Sequence, residues 1–380
     1  MIKSYKVRLY PTKEQEQLMW KHIGSCRFIW NWMLAKQEDL YKQGEKHLSA
    51  FDMINLLSPM KKQEECKWLS DVSNNSLVTI CRDLDKAYKM FFKKTSGFPK
   101  FKSRKKSKPN FPIRTDTLYF KDDKVLNIEK IGKVRYKTDF VFEYGRNACK
   151  LTNARVSYIN GKWILSFGME CENQARELND VSMGIDLGVK DLAIVEYNGE
   201  PLVFHNINKS KQMCELSKRI RHLQKNISRK YEVNRTGKKY NKTKNIEKQE
   251  ERLRKLRARQ SNIRRNYLHQ TTHKLVSLFP KRIVMEDLNV TGMMKNRHLS
   301  KAVQDQCFYE FIRQMEYKCA WNGIELVKAD RFYPSSKTCS GCGCIKTDLK
   351  LSDRTYHCSD CGLIIDRDYN AAINLSRYVA

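Results

Sequence analysis

The chain has 380 residues, more than one compact domain usually holds, and 41% of them are apolar, enough to build two or three cores. Lysine and arginine number 73 against 42 aspartates and glutamates, a net charge of +31 at pH 7. A field of that size draws polyphosphate and argues against an ordinary enzyme of small molecules, while the lack of any run of about 18 apolar residues argues against a membrane span.

The N-terminal stretch MIKSYKVRLYPT alternates charged and apolar residues and lacks the apolar core of a signal peptide. Its residues 2–10 predict a strand, and Pro11-Thr12 followed by Lys13-Glu14 predicts a helix start. From about 14 to 95 the pattern is helical, with Phe28, Trp30, Trp32 and Met33, then Leu84, Ala87, Tyr88, Phe91 and Phe92, at spacings that suit packed faces.

The segment GFPKFKSRKKSKPNFP breaks the helices with three prolines and a basic run from Lys100 to Lys108. Interleaved Phe98, Phe101 and Phe111 favour nucleic-acid contact over a bare solvated loop, with Lys100, Lys102, Arg104, Lys105 and Lys106 as candidates. Residues 117–170 predict short strands with turns at Asp122-Asp123, Gly145-Arg146 and Asn160-Gly161, the last a hairpin signal.

From Met183, the runs MGIDLGV, DLAIVEY and EPLVFH predict three strands in antiparallel hairpins, turning at Asn198-Gly199. Residues 211–279 predict a basic helical hairpin. Met213, Leu216, Ile220, Leu223 and Ile227 form its apolar stripe, and YEVNRTGKKYNKTKN breaks it. A strand over Lys281–Asp287, a helix over 303–322 and a strand near 324–329 follow. The order βββ-helix-β-helix-β-helix is that of a ribonuclease-H-like fold.

Acids sit in three separated places: Asp186 in the first of these strands, Glu286 and Asp287 in the fourth, Asp366 and Asp368 at the start of the last helix. Carboxylates delivered by different elements can converge on divalent cations, the usual construction of a phosphodiester-cleaving site. Gly184 and Gly188 share the face of Asp186 and are expected to leave room there for metal and phosphate. Glu286 and Asp287 point to opposite faces, and Asp366 and Asp368 do not share a helix face, so one member of each pair can join Asp186; spacing does not choose between them.

Cys339-x-x-Cys342, fifteen residues, then Cys358-x-x-Cys361 has the spacing of a closed, structural Zn²⁺ site. Cys344 is expected to be a bystander. The remaining cysteines are scattered singly, which suits a reducing interior without disulfides and a cytoplasmic setting.

Taken together, KVRLYPTKEQ, GFPKFKSRKK, GIDLGVKDLAI, VMEDLNV, YPSSKTCSGCG, YHCSDCG and DRDYNAAINL resemble the TnpB family, transposon-encoded RNA-guided DNA endonucleases related to type V CRISPR effectors. The resemblance spans nearly the whole chain, and the end at Ala380 leads to the expectation of little or no tail beyond the last helix. It implies Asp186, Glu286 and Asp368 as a RuvC-type triad holding two Mg²⁺ ions, with Asp287 and Asp366 as neighbours. It implies one Zn²⁺ on Cys339, Cys342, Cys358 and Cys361.

The implied architecture is an α/β and α+β multidomain chain. A wedge-like β-barrel domain spans 1–11 and 96–178, and a helical recognition domain spans 12–95. A ribonuclease-H-like (RuvC) nuclease spans 179–380, with a hairpin insert at 211–279 and a zinc ribbon at 335–363. The implied partners are a guide RNA from the transposon end, one protein per guide, and target double-stranded DNA. The helical domain is expected to read a short motif beside the target, with Asn74, Asn75 and Thr79 as candidates. Competing expectations are a nuclease-silent RNA-guided repressor, an RNA-independent DNA-cutting transposase, and a zinc-ribbon RNA scaffold. Arg331 is expected to have a surface or packing role.

Overall fold

The alternating N-terminal residues form strand β1 (Ile2–Tyr10), with Val7 and Leu9 turned inward. The computed structural model describes residues 1–145, 150–171, 176–350 and 353–379. The chain divides into two units, Met1–Glu172 and Asn173–Ala380.

In the first unit, Thr12 and Gln15 form a reciprocal capping box that starts helix α1 (Lys13–Lys42). Short helices α2 (Ala50–Asn55) and α3 (Leu57–Lys62) lead through a 3-10 turn to α4 (Asn74–Phe92), capped by Ser73. Strands β2 (Asn110–Pro112), β3 (Tyr119–Phe120), β4 (Val125–Ile128), β5 (Gly132–Lys137), β6 (Leu151–Ile159) and β7 (Lys162–Glu170) follow. With β1 they form one antiparallel sheet in the order β2-β6-β7-β1-β5-β4-β3. Asn160 (φ 50°) and Gly161 (φ 79°) make the tight turn that pairs Ile159 with Lys162. The predicted turn at Gly145-Arg146 lies partly outside the described residues. Helical Met19, Ile29, Met33 and Leu84 share one continuous core with Phe111, Phe120, Leu165 and Phe167 of the strand-bearing segment.

The second unit opens with β8 (Asn179–Leu187), β9 (Asp191–Tyr197) and β10 (Glu200–His205), joined as antiparallel hairpins. Asn198 (φ 54°) and Gly199 (φ 83°) again supply the left-handed turn. Helix α5 (Lys211–Val233) buries the five predicted stripe residues. A two-residue ladder, β11 (Arg235–Thr236) with β12 (Lys239–Tyr240), turns it into α6 (Lys244–Val276). Then come β13 (Pro280–Glu286), α7 (Val290–Lys295), α8 (Ser300–Gln306), α9 (Phe308–Asn322) and β14 (Glu325–Ala329). The small hairpin β15 (Thr355–His357) and β16 (Ile364–Asp366) precedes the last helix, α10 (Arg367–Ser376).

Sheet order here is β10-β9-β8-β13-β14, with β13 parallel to both its neighbours. Side chains of a strand alternate between faces. Met183, Ile185, Ile283 and Met285 therefore enter the core with Leu275, Phe308, Phe311 and Met315 of α6 and α9. Val284 turns the other way and packs with Leu375 of α10. The odd-numbered face is thus covered by α6 and α9 and the even-numbered face by α10. Among the described residues no helix is long and apolar enough to cross a membrane.

Candidate active site and metal centre

Parallel register pairs Ile185 of β8 with Met285 of β13. One step further along each strand stand Asp186 and Glu286, side by side on the face that α10 covers. Helix α10 presents Asp368 in its first turn. All three carboxylates thus lie at one end of this sheet, supplied by two neighbouring strands and the helix packed across them.

The second member of each acidic pair is engaged elsewhere. Asp287 pairs with Arg331 at 2.5 Å. Asp366 is the N-cap of α10, its Oδ1 accepting from the backbone amides of Asp368 (2.9 Å) and Tyr369 (3.0 Å).

The expectation for Gly184 is corrected. A Cβ there would stand 1.9 Å from the Ala372 carbonyl oxygen and 2.4 Å from the Ser376 amide nitrogen. The space beside β8 is filled by the backbone of α10, so the glycine serves the approach of the helix that carries Asp368. Gly188 leaves no open room either, since its Cβ would meet the Asp191 carbonyl oxygen at 3.1 Å. Ser182 Oγ donates to the Ser376 carbonyl (2.6 Å), and Tyr369 donates to the Gly199 carbonyl (3.0 Å), fixing both ends of α10 on the sheet.

Each acid has its own support. Buried Ser335 donates to Glu286 Oε1 at 2.5 Å. Arg367 donates to Asp368 Oδ1 through two nitrogens (3.0 and 2.7 Å), and Arg354 stands 3.6 Å from Oδ2. Asp186 is half-buried at its surface yet densely surrounded by protein atoms. Burial, then the facing charges of Glu286 and Asp368, hold its carboxyl well above the usual range. Acids crowded in this way are stabilised by a cation, which is the chemistry of a divalent-metal site.

Among the described residues, the group whose ligand atoms all lie within 4.8 Å of one another is Cys339, Cys342, Cys358 and Cys361. Sulfur pairs Cys339–Cys361 and Cys342–Cys358 are 3.6 Å apart. That is far beyond a disulfide. It is close to the ~3.8 Å edge of a tetrahedron with Zn–S bonds of about 2.3 Å. Amides of Cys361 and Asp360 hold the Cys358 thiol down at about 7. Cys344 lies outside the group, its thiol bonded to Asp360. The twelve cysteines of the described residues are all free.

The thiol cluster is tied to α10. Asn370 and Asn374 both donate to the Thr338 carbonyl at 2.7 Å, and Asn374 also reaches the Ser335 carbonyl at 2.7 Å. Asn370 Oδ1 accepts from the Ser340 amide. These two buried asparagines, one turn apart, were not singled out by sequence reasoning. The repeated Asn in DYNAAINL, on a face that must be buried, was the available signal.

Among the basic-segment and helix-start candidates, Asn74, Lys100, Arg104, Lys105 and Lys106 are exposed. Three others spend their side chains within the fold. Lys102 lies 3.4 Å over the Trp30 ring, and burial pushes its amine down to about 8. Asn75 donates to Glu129, and Thr79 donates to the Asn75 carbonyl. Asn74 itself accepts from Lys61 at 2.5 Å.

Residues 166–297 match the family described as probable transposase (OrfB_IS605), residues 1–46 its helix-turn-helix domain, and residues 308–375 the Cas12f1-like TNB domain. A "Putative RNA-guided DNA endonuclease" of Streptomyces pristinaespiralis is 30% identical over 373 residues, covering 98% of this chain and 88% of that protein. InsQ of Escherichia coli K12, with the same descriptive name, is 30% identical over 394 residues, covering 98% and 91%. The cryo-EM structure of a Cas12f1-sgRNA-target DNA complex shares the fold, with a TM-score of 0.60, 14% identity, and 99% and 98% coverage. Fold and cysteine cluster define a mixed α/β multidomain protein that shares the Cas12f1 fold and carries a zinc-ribbon-like module. The chain belongs to the TnpB family of transposon-encoded proteins.

Proposed function

We propose that this protein is an RNA-guided DNA endonuclease of an insertion-sequence transposon, with a guide RNA from the transposon end and double-stranded DNA as partners. The observation that carries the reading is that Asp186 and Glu286 stand one residue beyond the paired Ile185 and Met285 of adjacent parallel strands, beneath the helix that bears Asp368. In this reading the sheet β10-β9-β8-β13-β14 is a ribonuclease-H-like (RuvC) core, the nuclease runs over 179–380, and 211–279 and 335–363 are its helical arm and zinc ribbon. The β strands of 1–11 and 96–178 act as the wedge, and 12–95 as the recognition element for a target-adjacent motif.

Asp186, Glu286 and Asp368 are the residues that would hold Mg²⁺, two ions in this reading. When bound, the metal supplies an activated water and stabilises the leaving oxygen of the cleaved phosphodiester. Ser335 orients Glu286, and Arg367 holds the Asp368 carboxylate in place. Cys339, Cys342, Cys358 and Cys361 hold Zn²⁺, whose closed coordination gives structure and no chemistry. Base pairing with the guide supplies most sequence specificity, while exposed lysines and arginines follow the backbones.

The test is plasmid cleavage by protein co-expressed with its transposon-end RNA. Plasmids carry a guide-matched target beside a randomised flank, in Mg²⁺ or EDTA. Cutting that needs Mg²⁺, the guide and Asp186 supports the reading. Guide-dependent binding without cutting would replace it with the repressor, and cutting that survives RNA removal with the RNA-independent transposase.

A further inference from the structure

A cavity of about 270 Å³ opens beside Glu286. Leu288, Val290 and Ile312 give it apolar walls, and Tyr309 and Arg331 also line it. That volume is below the usual range of small-molecule pockets, about 300–1,000 Å³, so it suits one flat ring system and excludes a duplex. Tyr309, at the start of α9, is 71% exposed and meets no other ring among the described residues. Phe332, next to Arg331 in the chain, is 92% exposed.

Tyr309 is also the first of a row. Tyr309, Arg313, Tyr317 and Trp321 recur at every fourth position of α9. Four residues of helix rise about 6 Å, close to the reach of one extended nucleotide step. The Arg313 guanidinium lies 5.4 Å over the Tyr317 ring, and the rings of Tyr317 and Trp321 are 4.5 Å apart. Arg313 is spent on Glu310 and Tyr317, so the exposed ring of this row is that of Tyr309; exposed rings are how proteins hold unpaired bases.

We propose that the Tyr309 cavity holds one unpaired base of the DNA strand entering the active site, stacked on the Tyr309 ring. The inference rests on Glu286 being part of the cleavage site. Position explains the occupant: a base held beside Glu286 brings its own phosphate to the carboxylates. Arg331 lies at the same cavity, paired with Asp287, and can trade that partner for a phosphate oxygen. Tyr309 is a positioning residue, setting which phosphate stands at the site.

The experiment uses the whole protein–guide RNA complex and a guide-matched DNA target. In EDTA, 2-aminopurine placed at successive positions of either DNA strand should be quenched at a position near the cut, and Tyr309→Ala should abolish that quench. In Mg²⁺, Tyr309→Ala should slow single-turnover cleavage about tenfold and spread the cut positions, with target affinity unchanged, since pairing with the guide dominates it. Tyr309→Phe and Tyr309→Trp should restore both quench and cut position. Unchanged quench and cut positions in Tyr309→Ala would overturn the proposal, as would a Tyr309-dependent quench found on the guide RNA and on neither DNA strand. Asp186→Ala is run in parallel. If that variant still cuts, the active-site reading itself has failed; if it is silent while Tyr309→Ala behaves as wild type, only the subsite has.

Discussion

Gly184 of β8 and Ala372 of α10 approach so closely that a single added methyl group would lie 1.9 Å from a backbone oxygen. The contact sets the height of α10 above the sheet, and thereby the height of Asp368 above Asp186. Gly184→Ala should lift the helix, destabilise the second unit by about 3 kcal/mol and remove metal-dependent cleavage. Gly188→Ala, whose added carbon meets one oxygen at 3.1 Å, should be milder. Thermal unfolding and cleavage assays on both variants check this; equal tolerance would contradict it.

Asp366 and Asp368 separate by role. Asp366→Ala removes a helix cap and should cost about 1 kcal/mol while leaving most Mg²⁺-dependent cutting. Asp368→Ala should abolish cutting with little loss of stability. Parallel melts and cleavage rates decide; the reverse pattern would exchange the two assignments.

Zinc removal should reach the active site through hydrogen bonds. Asn370 and Asn374 of α10 hold carbonyls of the cysteine-bearing segment, so loosening that segment loosens the helix that carries Asp368. Cys339→Ser should release Zn²⁺, lower the melting temperature and reduce cleavage. Metal analysis of the purified protein should find about one Zn per chain, and none in a variant lacking two of the four thiols.

Lys318 gives a pH prediction remote from the carboxylates. Its ammonium is buried between α9 and α6, donating to the His269 carbonyl (2.9 Å) and Thr272 Oγ1 (2.6 Å). Desolvation lowers its pKa to about 8. The unfolded chain binds this proton more tightly, so stability rises with pH between about 8 and the ordinary lysine value. Lys318→Met should therefore stabilise the unit at pH 7 by about 1–2 kcal/mol, with the gain shrinking toward pH 10. Melts across that range test the sign; a gain that grows with pH would contradict it.

Much of this was legible in the sequence, for identifiable reasons. The Asn-Gly turns announce both hairpins because left-handed backbone is cheap for those residues, and the α5 stripe follows from helical period. The cysteine spacing carries its own geometry. What failed was inference about space. Gly184 read as an opening because a missing side chain does not say which backbone will fill the gap. Lys102 reads as one more residue of the basic run, because Trp30, about seventy residues earlier and the ring it lies against, is invisible to local pattern. Spacing left Glu286 and Asp287 open and only the family resemblance favoured Glu286, because the register of β13 against β8 is a tertiary fact.

The assignment of the three carboxylates is tested most directly by metal binding and cutting measured on the same set of single variants. Mn²⁺ binding followed by electron paramagnetic resonance, and cleavage of a guide-matched target, are compared for Asp186→Ala, Glu286→Ala and Asp368→Ala and for their neighbours Asp287→Ala and Asp366→Ala. The first three should each lose bound metal and cutting together, while the neighbours keep both. Loss in a neighbour variant equal to that in the adjacent triad variant, or full metal binding in Asp186→Ala, would contradict it.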